Sequence, residues 1–125
     1  MDLAELNKAR FVSLTTFRKT GVGVSTPVWI ARDGDDLVVT TPVGSGKLKR
    51  LRNNPLVEMR PCSRMGKVAD GAPVVTAAAS QEEETPEALD RIKRKYGFEY
   101  YLISFIERLV SKGNAHRVII RISAS

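Results

Sequence analysis

Histidine and cysteine are nearly absent from this sequence of 125 residues, which contains one of each, His116 and Cys62. A single cysteine cannot form an internal disulfide, which is typical of proteins that fold in a reducing cytosol. Zinc sites draw most of their ligands from these two residue types, so we expect no metal site. A Ser–His–Asp triad would have to use His116, which we interpret as a structural residue at a strand end. The sequence therefore assigns no catalytic residue. If the protein is an enzyme, a cofactor is expected to supply the chemistry.

Long apolar stretches are also missing. No segment has the length and hydrophobicity of a membrane span. Met1–Arg10 has the pattern of a short amphipathic helix rather than of a secretory signal. These features predict a cytoplasmic protein, and the length predicts a single domain over residues 1–125.

Positive charge is in excess. The net charge is +6 and the sequence pI is about 9.8. This balance suits an anionic partner: a nucleic acid, a phosphorylated cofactor or an acidic lipid surface. Lysine and arginine concentrate in Lys47–Arg52, Arg60–Lys67 and Arg91–Lys95. Each run taken alone is typical of a solvated face, and only the fold decides whether they meet.

Six segments have the alternating, β-branched and aromatic pattern of strands. They are Phe11–Phe17, Val24–Arg32, Leu37–Thr41, Leu56–Cys62, Pro73–Ser80 and Ala115–Ser123. Short connections such as the Asp33-Gly34 turn favour hairpins. The pattern predicts a mainly β protein, a small antiparallel barrel of six strands. In the last strand, Val118, Ile120 and Ile122 are expected to face in, whereas Arg117 and Arg121 are expected to face out.

Three further segments have helical patterns. A short basic helix after Ser45 ends before Asn54-Pro55. A second helix begins at Thr85 with a cap, a proline and an acidic first turn, and ends at Gly97. Phe98–Val110 predicts a third helix.

The basic helix breaks a local rule in its first turn. Four cations lie within six residues: Lys47, Lys49, Arg50 and Arg52. Lys47 and Lys49 would stand at the positive end of the helix dipole, where cations are unfavourable. A bound phosphate would compensate, held by Ser45, by backbone N–H groups around Gly44 and Gly46, and by Lys47. The alternative is a solvated basic turn.

Pro27 interrupts the second predicted strand. Proline cannot donate a ladder hydrogen bond, so it belongs at a sheet edge or a break. Backbone groups of Thr26, Val28 and Trp29 would then be available to a planar ligand. A plain edge strand is the equally simple interpretation.

Together these segments resemble the pyridoxamine 5′-phosphate oxidase-like split-barrel flavoproteins, and more closely the deazaflavin (coenzyme F420)-dependent reductases of the B type. The resemblance extends from about Phe11 to Ile122. It is carried by FVSLTTF (Phe11–Phe17), STPVWI (Ser25–Ile30), SGKLKRLRNNP (Ser45–Pro55), Pro61-Cys62 with the Gly66 loop, and RKYG (Arg94–Gly97).

The resemblance implies a six-stranded split barrel of the FMN-binding type and a homodimer with two cofactor sites at the subunit interface. It implies an oxidoreductase in which reduced F420 transfers a hydride to a conjugated organic acceptor. The residues implied to bind the cofactor are Thr26, Pro27, Val28 and Trp29 along the ring, Thr40 and Thr41 beside the ring or the ribityl chain, Ser45, Gly46, Lys47, Lys49 and Arg50 at the phosphate, and Arg60 as an added charge.

Several alternatives remain open at this level. The basic loops suit the acidic tail of F420, but they also suit FMN, bound either by an oxidoreductase or by a flavin carrier without turnover. Oxidases of pyridoxamine phosphate carry further substrate-binding arginines and histidines, and the single histidine argues against that activity. A basic barrel that binds nucleic acid is the alternative from another class. Single-strand binders stack bases on exposed aromatic residues, whereas here the aromatics lie mainly in apolar segments, so we expect no nucleic-acid partner.

Overall fold

The computed structural model describes residues 2–83, 85–97 and 117–124. The predicted Phe98–Val110 helix and His116 lie outside the described residues. The elements in chain order are α1 Leu3–Leu6, β1 Phe11–Phe17, β2 Gly23–Val28, β3 Ala31–Asp33, β4 Asp36–Pro42, α2 Gly46–Asn53, β5 Leu56–Cys62, β6 Val75–Glu83, α3 Pro86–Tyr96 and β7 Arg117–Ala124. No helix in these ranges is long and apolar enough to cross a membrane.

The strands form one antiparallel sheet in the order β2-β1-β5-β6-β7-β4-β3. Its two edge strands, β2 and β3, are consecutive in the chain and are separated only by Trp29 and Ile30. The sheet therefore curls until its edges meet at this corner, which makes it a split barrel, as predicted. The prediction of six strands is wrong in one respect. The segment Val24–Arg32 is two strands, because the chain leaves β1 and joins β4 within it.

Two apolar cores lie on the two faces of the sheet. The larger core fills the barrel interior, and it includes Leu37 and Val39 of β4. Leu48 and Leu51 of α2 also pack into this interior, as their spacing predicted. The second core lies outside the barrel, where α3 covers residues such as Val38 of β4. Alternate residues of one strand thus face different cores.

Strand β6 begins and ends later than the fifth predicted strand, to which it corresponds. The sequence pattern predicted Pro73–Ser80, whereas β6 spans Val75–Glu83 and includes part of the acidic run. The extension is stabilised by pairing with β7, in which Glu82 lies opposite Ile119. Because pairing with a distant strand decides the boundary, the local composition did not reveal it.

Helix α3 begins and ends as its sequence predicted. The hydroxyl of Thr85 accepts a hydrogen bond from the Ala88 N–H at 3.2 Å, and Gly97 follows the last turn with a positive φ of 54°. The ammonium of Lys95 donates hydrogen bonds to the side-chain oxygen of Asn7 and the carbonyl oxygen of Ala9, each at 3.0 Å. Burial of Lys95, with a smaller effect from a nearby arginine, lowers its pKa to about 8. Helix α3 is thereby attached to the segment that precedes β1.

Arg121 faces out from the barrel, as predicted, but three carboxylates surround its guanidinium. Its guanidinium donates hydrogen bonds to Asp33 at 2.8 Å, to Glu82 at 2.9 Å and to Asp36 at 3.2 Å. These bonds raise the pKa of Arg121 above its already high value. The three acids come from both strands of the β3–β4 hairpin and from β6. One side chain on β7 therefore links three neighbouring strands outside the barrel.

Replacing Arg121 is expected to weaken the fold. Arg121→Met leaves three carboxylates without their shared partner, and we expect the free energy of unfolding to fall by about 2 kcal/mol, given that the cluster is only part-buried. Urea denaturation at neutral pH measures this change. Arg94→Met is the matched control, since the Arg94–Asp90 pair is 2.9 Å long but largely exposed. Its loss should be below about 0.5 kcal/mol, and equal losses in the two variants would contradict the role given to Arg121.

Candidate functional site

A tight turn connects β4 to the start of α2. The Ser45 N–H donates a hydrogen bond to the Pro42 carbonyl oxygen at 3.3 Å. Within this turn Gly44 has a φ of 83°, a conformation that favours glycine. The glycine lets the chain reverse so that α2 begins directly at the end of a barrel strand. The predicted basic helix is therefore present, from Gly46 to Asn53.

The N-terminal end of α2 is not capped by its own N-cap side chain. Ser45 occupies the N-cap position but makes no side-chain capping hydrogen bond. Its hydroxyl instead accepts a hydrogen bond from the Thr41 hydroxyl at 3.3 Å. Backbone N–H groups in the first turn of a helix have no partner within the helix and attract anions. Thr41 and Ser45, both predicted site residues, thus meet beside the backbone N–H groups of the first turn of α2.

Arg50 folds back towards this helix start. Its Nε donates a hydrogen bond to the hydroxyl of Thr16 on β1, at 2.6 Å. A Cβ atom at Gly46 would lie 2.8 Å from a terminal nitrogen of Arg50. Any larger residue at position 46 would therefore displace the guanidinium. The observed position of the Arg50 guanidinium is therefore compatible only with a glycine at position 46.

Lys47 lies near two guanidinium groups, those of Arg50 and Arg117. The pKa of Lys47 is lowered by burial first, and then by the charges of Arg50 and Arg117. Arg117 is held at the start of β7 by Thr40, whose hydroxyl and carbonyl oxygens accept hydrogen bonds from it at 2.9 and 3.1 Å. Throughout residues 2–83, 85–97 and 117–124, no ion pair joins Lys47 or Arg50 to a carboxylate. Like charges therefore meet at the positive end of a helix dipole, an arrangement that a bound anion stabilises.

Two predicted site residues are not part of this group. Lys49 is exposed and lies two positions after Lys47, which places their side chains roughly 200° apart around the helix. Arg60 is exposed on β5, opposite Ser13, and Pro27 of β2 lies opposite Ser13 on its other side. Arg60 is therefore about 10 Å from the Pro27 backbone, across one intervening strand.

The predicted ring-binding segment lies on an edge strand. Pro27 is in β2, which pairs with β1 alone among the described strands, so the edge position predicted for this proline is confirmed. Thr26 faces the barrel side opposite Leu14, and its hydroxyl oxygen is buried without a hydrogen-bond partner among the described residues. Buried hydroxyls are nearly always hydrogen-bonded, so this oxygen is an exception on the barrel side of β2. Trp29, just beyond the strand, stacks on Tyr96 with ring centroids 4.5 Å apart.

A short loop after β5 lies against this edge strand. Gly66, with a φ of 87°, brings the loop so near that a Cβ atom there would lie 3.4 Å from the Pro27 ring. Cys62 ends β5 just before the loop, and burial raises the pKa of its thiol. A raised pKa keeps the thiol protonated and weakly nucleophilic. Cys62 is half-buried, and it pairs with Phe11 across the β1–β5 ladder.

Sequence reasoning missed Thr16 and Arg117. Thr16 is fully buried on β1 and orients Arg50. Arg117 faces out from the barrel, as predicted, but the sequence did not place it opposite Pro42 at the end of β4 and near Lys47. The signal for both is strand pairing across the barrel, which the local pattern does not specify.

Comparisons with known proteins identify the family. The family profile described as pyridoxamine 5′-phosphate oxidase matches residues 3–125. A comparison with curated proteins found no significant match.

Solved structures are similar over nearly the whole chain. A conserved hypothetical protein from Mycobacterium tuberculosis is 27% identical, with a TM-score of 0.64, over 99% of this chain and 81% of that one. A structure described as an F420 reductase is 20% identical, with a TM-score of 0.54, over 97% and 91%. A pyridoxamine 5′-phosphate oxidase-related, FMN-binding protein from Nostoc punctiforme is 11% identical, with a TM-score of 0.60, over 96% and 75%. With the split barrel and the profile match, these likenesses lead to one conclusion: the chain belongs to the pyridoxamine 5′-phosphate oxidase family.

Proposed function

We propose that this protein is an oxidoreductase that binds reduced coenzyme F420 and directs a hydride from it to a conjugated organic acceptor. The observation that carries the proposal is the group of Lys47, Arg50 and Arg117 beside the uncapped start of α2. Such a group is suited to the phosphate of a cofactor. The family membership supports a flavin or a deazaflavin as that cofactor.

The residues present fit a phosphate-bearing cofactor. Ser45, the first-turn amides of α2, Lys47 and Arg50 would hold the phosphate, and the Thr26–Val28 backbone would lie along the ring. When bound, the cofactor supplies the hydride chemistry. The protein orients the ring and excludes water.

FMN is the second candidate. A structurally similar protein from Nostoc punctiforme is described as FMN-binding, and a phosphate site alone does not distinguish the two cofactors. F420 is favoured by the net charge of +6 and by exposed cations such as Lys49, because the resemblance implies an acidic tail on that cofactor. Attraction between these exposed charges and the tail has no counterpart in FMN.

The cofactor ring must lie outside the barrel. The interior is filled by the larger apolar core, so a planar three-ring system has no room within one chain. A ring that lies on the edge strand β2 needs a second surface to exclude water. We therefore propose a homodimer with the cofactor between subunits. The single cysteine favours a cytoplasmic location, which we also propose.

Titration with the two cofactors tests the proposal. We expect F420 to bind more tightly than FMN. Fluorescence of the protein and of the cofactor measures the binding of each. The preference should decrease as salt rises, because exposed charges are screened within roughly 8–10 Å near physiological ionic strength. If FMN binds equally or more tightly, FMN becomes the favoured cofactor. If the protein binds neither cofactor, the proposed function is contradicted.

Lys47→Ala is expected to weaken cofactor binding. The substitution removes a charge-assisted hydrogen bond worth about 1.5–3 kcal/mol, so affinity should fall roughly ten-fold to a hundred-fold. The cofactor-free protein should unfold at the same or a slightly higher denaturant concentration. The substitution removes both the burial of the ammonium and its repulsion by Arg50 and Arg117, the two effects that lower the pKa of Lys47. Fluorescence titration and urea denaturation measure the two effects.

Arg52→Ala is the matched control for this experiment. Arg52 is an exposed cation in the last turn of the same helix, so its loss changes the net charge equally without touching the proposed phosphate site. Its effect on affinity should be less than about three-fold, the size of a weak exposed charge contact. If Lys47→Ala and Arg52→Ala reduce affinity equally, the phosphate is not bound at the start of α2.

Dilution tests the proposed dimer. Light scattering should give twice the chain mass of 13.8 kDa at micromolar concentration, and cofactor affinity should be lost as the protein dissociates. A monomer with full cofactor affinity would contradict the interface site.

A further inference from the structure

A single tyrosine hydroxyl bonds the corner at which the barrel closes. Ile30 lies between β2 and β3, and its backbone N–H donates a hydrogen bond to the Tyr96 hydroxyl oxygen at 3.0 Å. The hydroxyl in turn donates its one proton towards two carbonyl oxygens, that of Arg10 at 2.8 Å and that of Ile30 at 3.0 Å. Tyr96 is 3% exposed. Three backbone groups from two distant segments are thus bonded to one buried atom.

The tyrosine ring fixes the same corner from its other side. It stacks on Trp29 with an angle of 14° between the rings. Trp29 and Ile30 are the two residues between the strands, so both are held by Tyr96. Stacked aromatic pairs contribute stabilisation beyond the burial of their surfaces. The chain direction on leaving β2 is therefore set by a residue of α3.

The proposed ring-binding segment ends immediately before this corner. Val28 is the last residue of β2 and lies opposite Val12, two residues after Arg10. Tyr96 binds to Arg10 on the β1 side and to Ile30 on the β2 side. The relative position of the two strands at their shared end thus depends on the hydroxyl. A shift there moves the backbone of Thr26–Val28.

We propose that Tyr96 is a positioning residue for the cofactor ring: its hydroxyl and ring hold the β2–β3 corner so that the Thr26–Val28 backbone presents a fixed surface to the ring. This inference rests on the proposed function, because it takes the ring to lie along that segment. Tyr96 itself contacts the corner and not the reacting atoms.

Tyr96→Phe tests the proposal, since it keeps the stacked ring and removes only the hydroxyl. We expect roughly two- to ten-fold weaker binding of F420 or FMN, the effect of one lost neutral hydrogen bond. The absorption and fluorescence bands of the bound cofactor should also shift. Inorganic phosphate, measured as a competitor of the cofactor, should keep its affinity, because the start of α2 is not altered.

Lys95→Met is the matched control at the same end of α3. It removes hydrogen bonds to Asn7 and Ala9 but leaves those to Ile30 intact. We expect lower stability in urea with unchanged cofactor spectra. A purely structural role for Tyr96 would make Tyr96→Phe behave in the same way, with lower stability, unchanged affinity and unchanged spectra, and would overturn the inference.

Amide hydrogen exchange in the unmodified protein covers the case in which Tyr96→Phe does not fold. Cofactor binding should slow exchange of the Ile30 amide several-fold more than that of Ala77 on β6. Equal changes at the two amides would overturn the inference. Failure of the unmodified protein to bind either cofactor would instead contradict the proposed function, so the two failures are distinguishable.

Discussion

The fold depends on one constraint: within two residues, the chain must leave one edge of the sheet and join the other. Trp29 and Ile30 make this change. They connect the two edge strands, so the other five strands lie between the two ends that this corner brings together. Backbone groups at such a corner lose their ladder partners, and buried polar groups without partners are costly. At Ile30, the Tyr96 hydroxyl is the hydrogen-bond partner of both the backbone N–H and the carbonyl oxygen. Helix α3 is therefore required for barrel closure as well as for the second apolar core.

Much of the local structure could be predicted from the sequence, because short-range rules decide it. The turn before α2 needs a glycine, Thr85-Pro86 starts a helix, and Leu48 and Leu51 have the spacing of a buried face. The edge position of Pro27 followed from its missing N–H donor. What failed was long-range. The sequence did not place Arg117 beside Lys47, or Arg121 among three acids, because both positions depend on which distant strand β7 joins.

The two arginines of β7 show how the same residue type on the same face acquires different roles. Arg121 is surrounded by carboxylates from neighbouring strands, so its charge is used within the fold. Arg117, four residues earlier, is held by Thr40 and contributes a like charge to the Lys47 site. Neighbours brought by the sheet therefore decide which groups surround each arginine. Composition alone, with its excess of cations, predicted an anionic partner but not its place.

The lowered pKa of Lys47 has a consequence for the thermodynamics of ligand binding. In the empty protein, burial and two neighbouring guanidinium groups favour the neutral amine. An anion bound at the start of α2 would favour the ammonium, which raises the pKa again. Between these two pKa values, each anion bound brings a proton with it from solution. The observed enthalpy of association then includes the protonation of Lys47 and varies with the ionisation enthalpy of the buffer. Affinity declines at alkaline pH although the ligand keeps its charge.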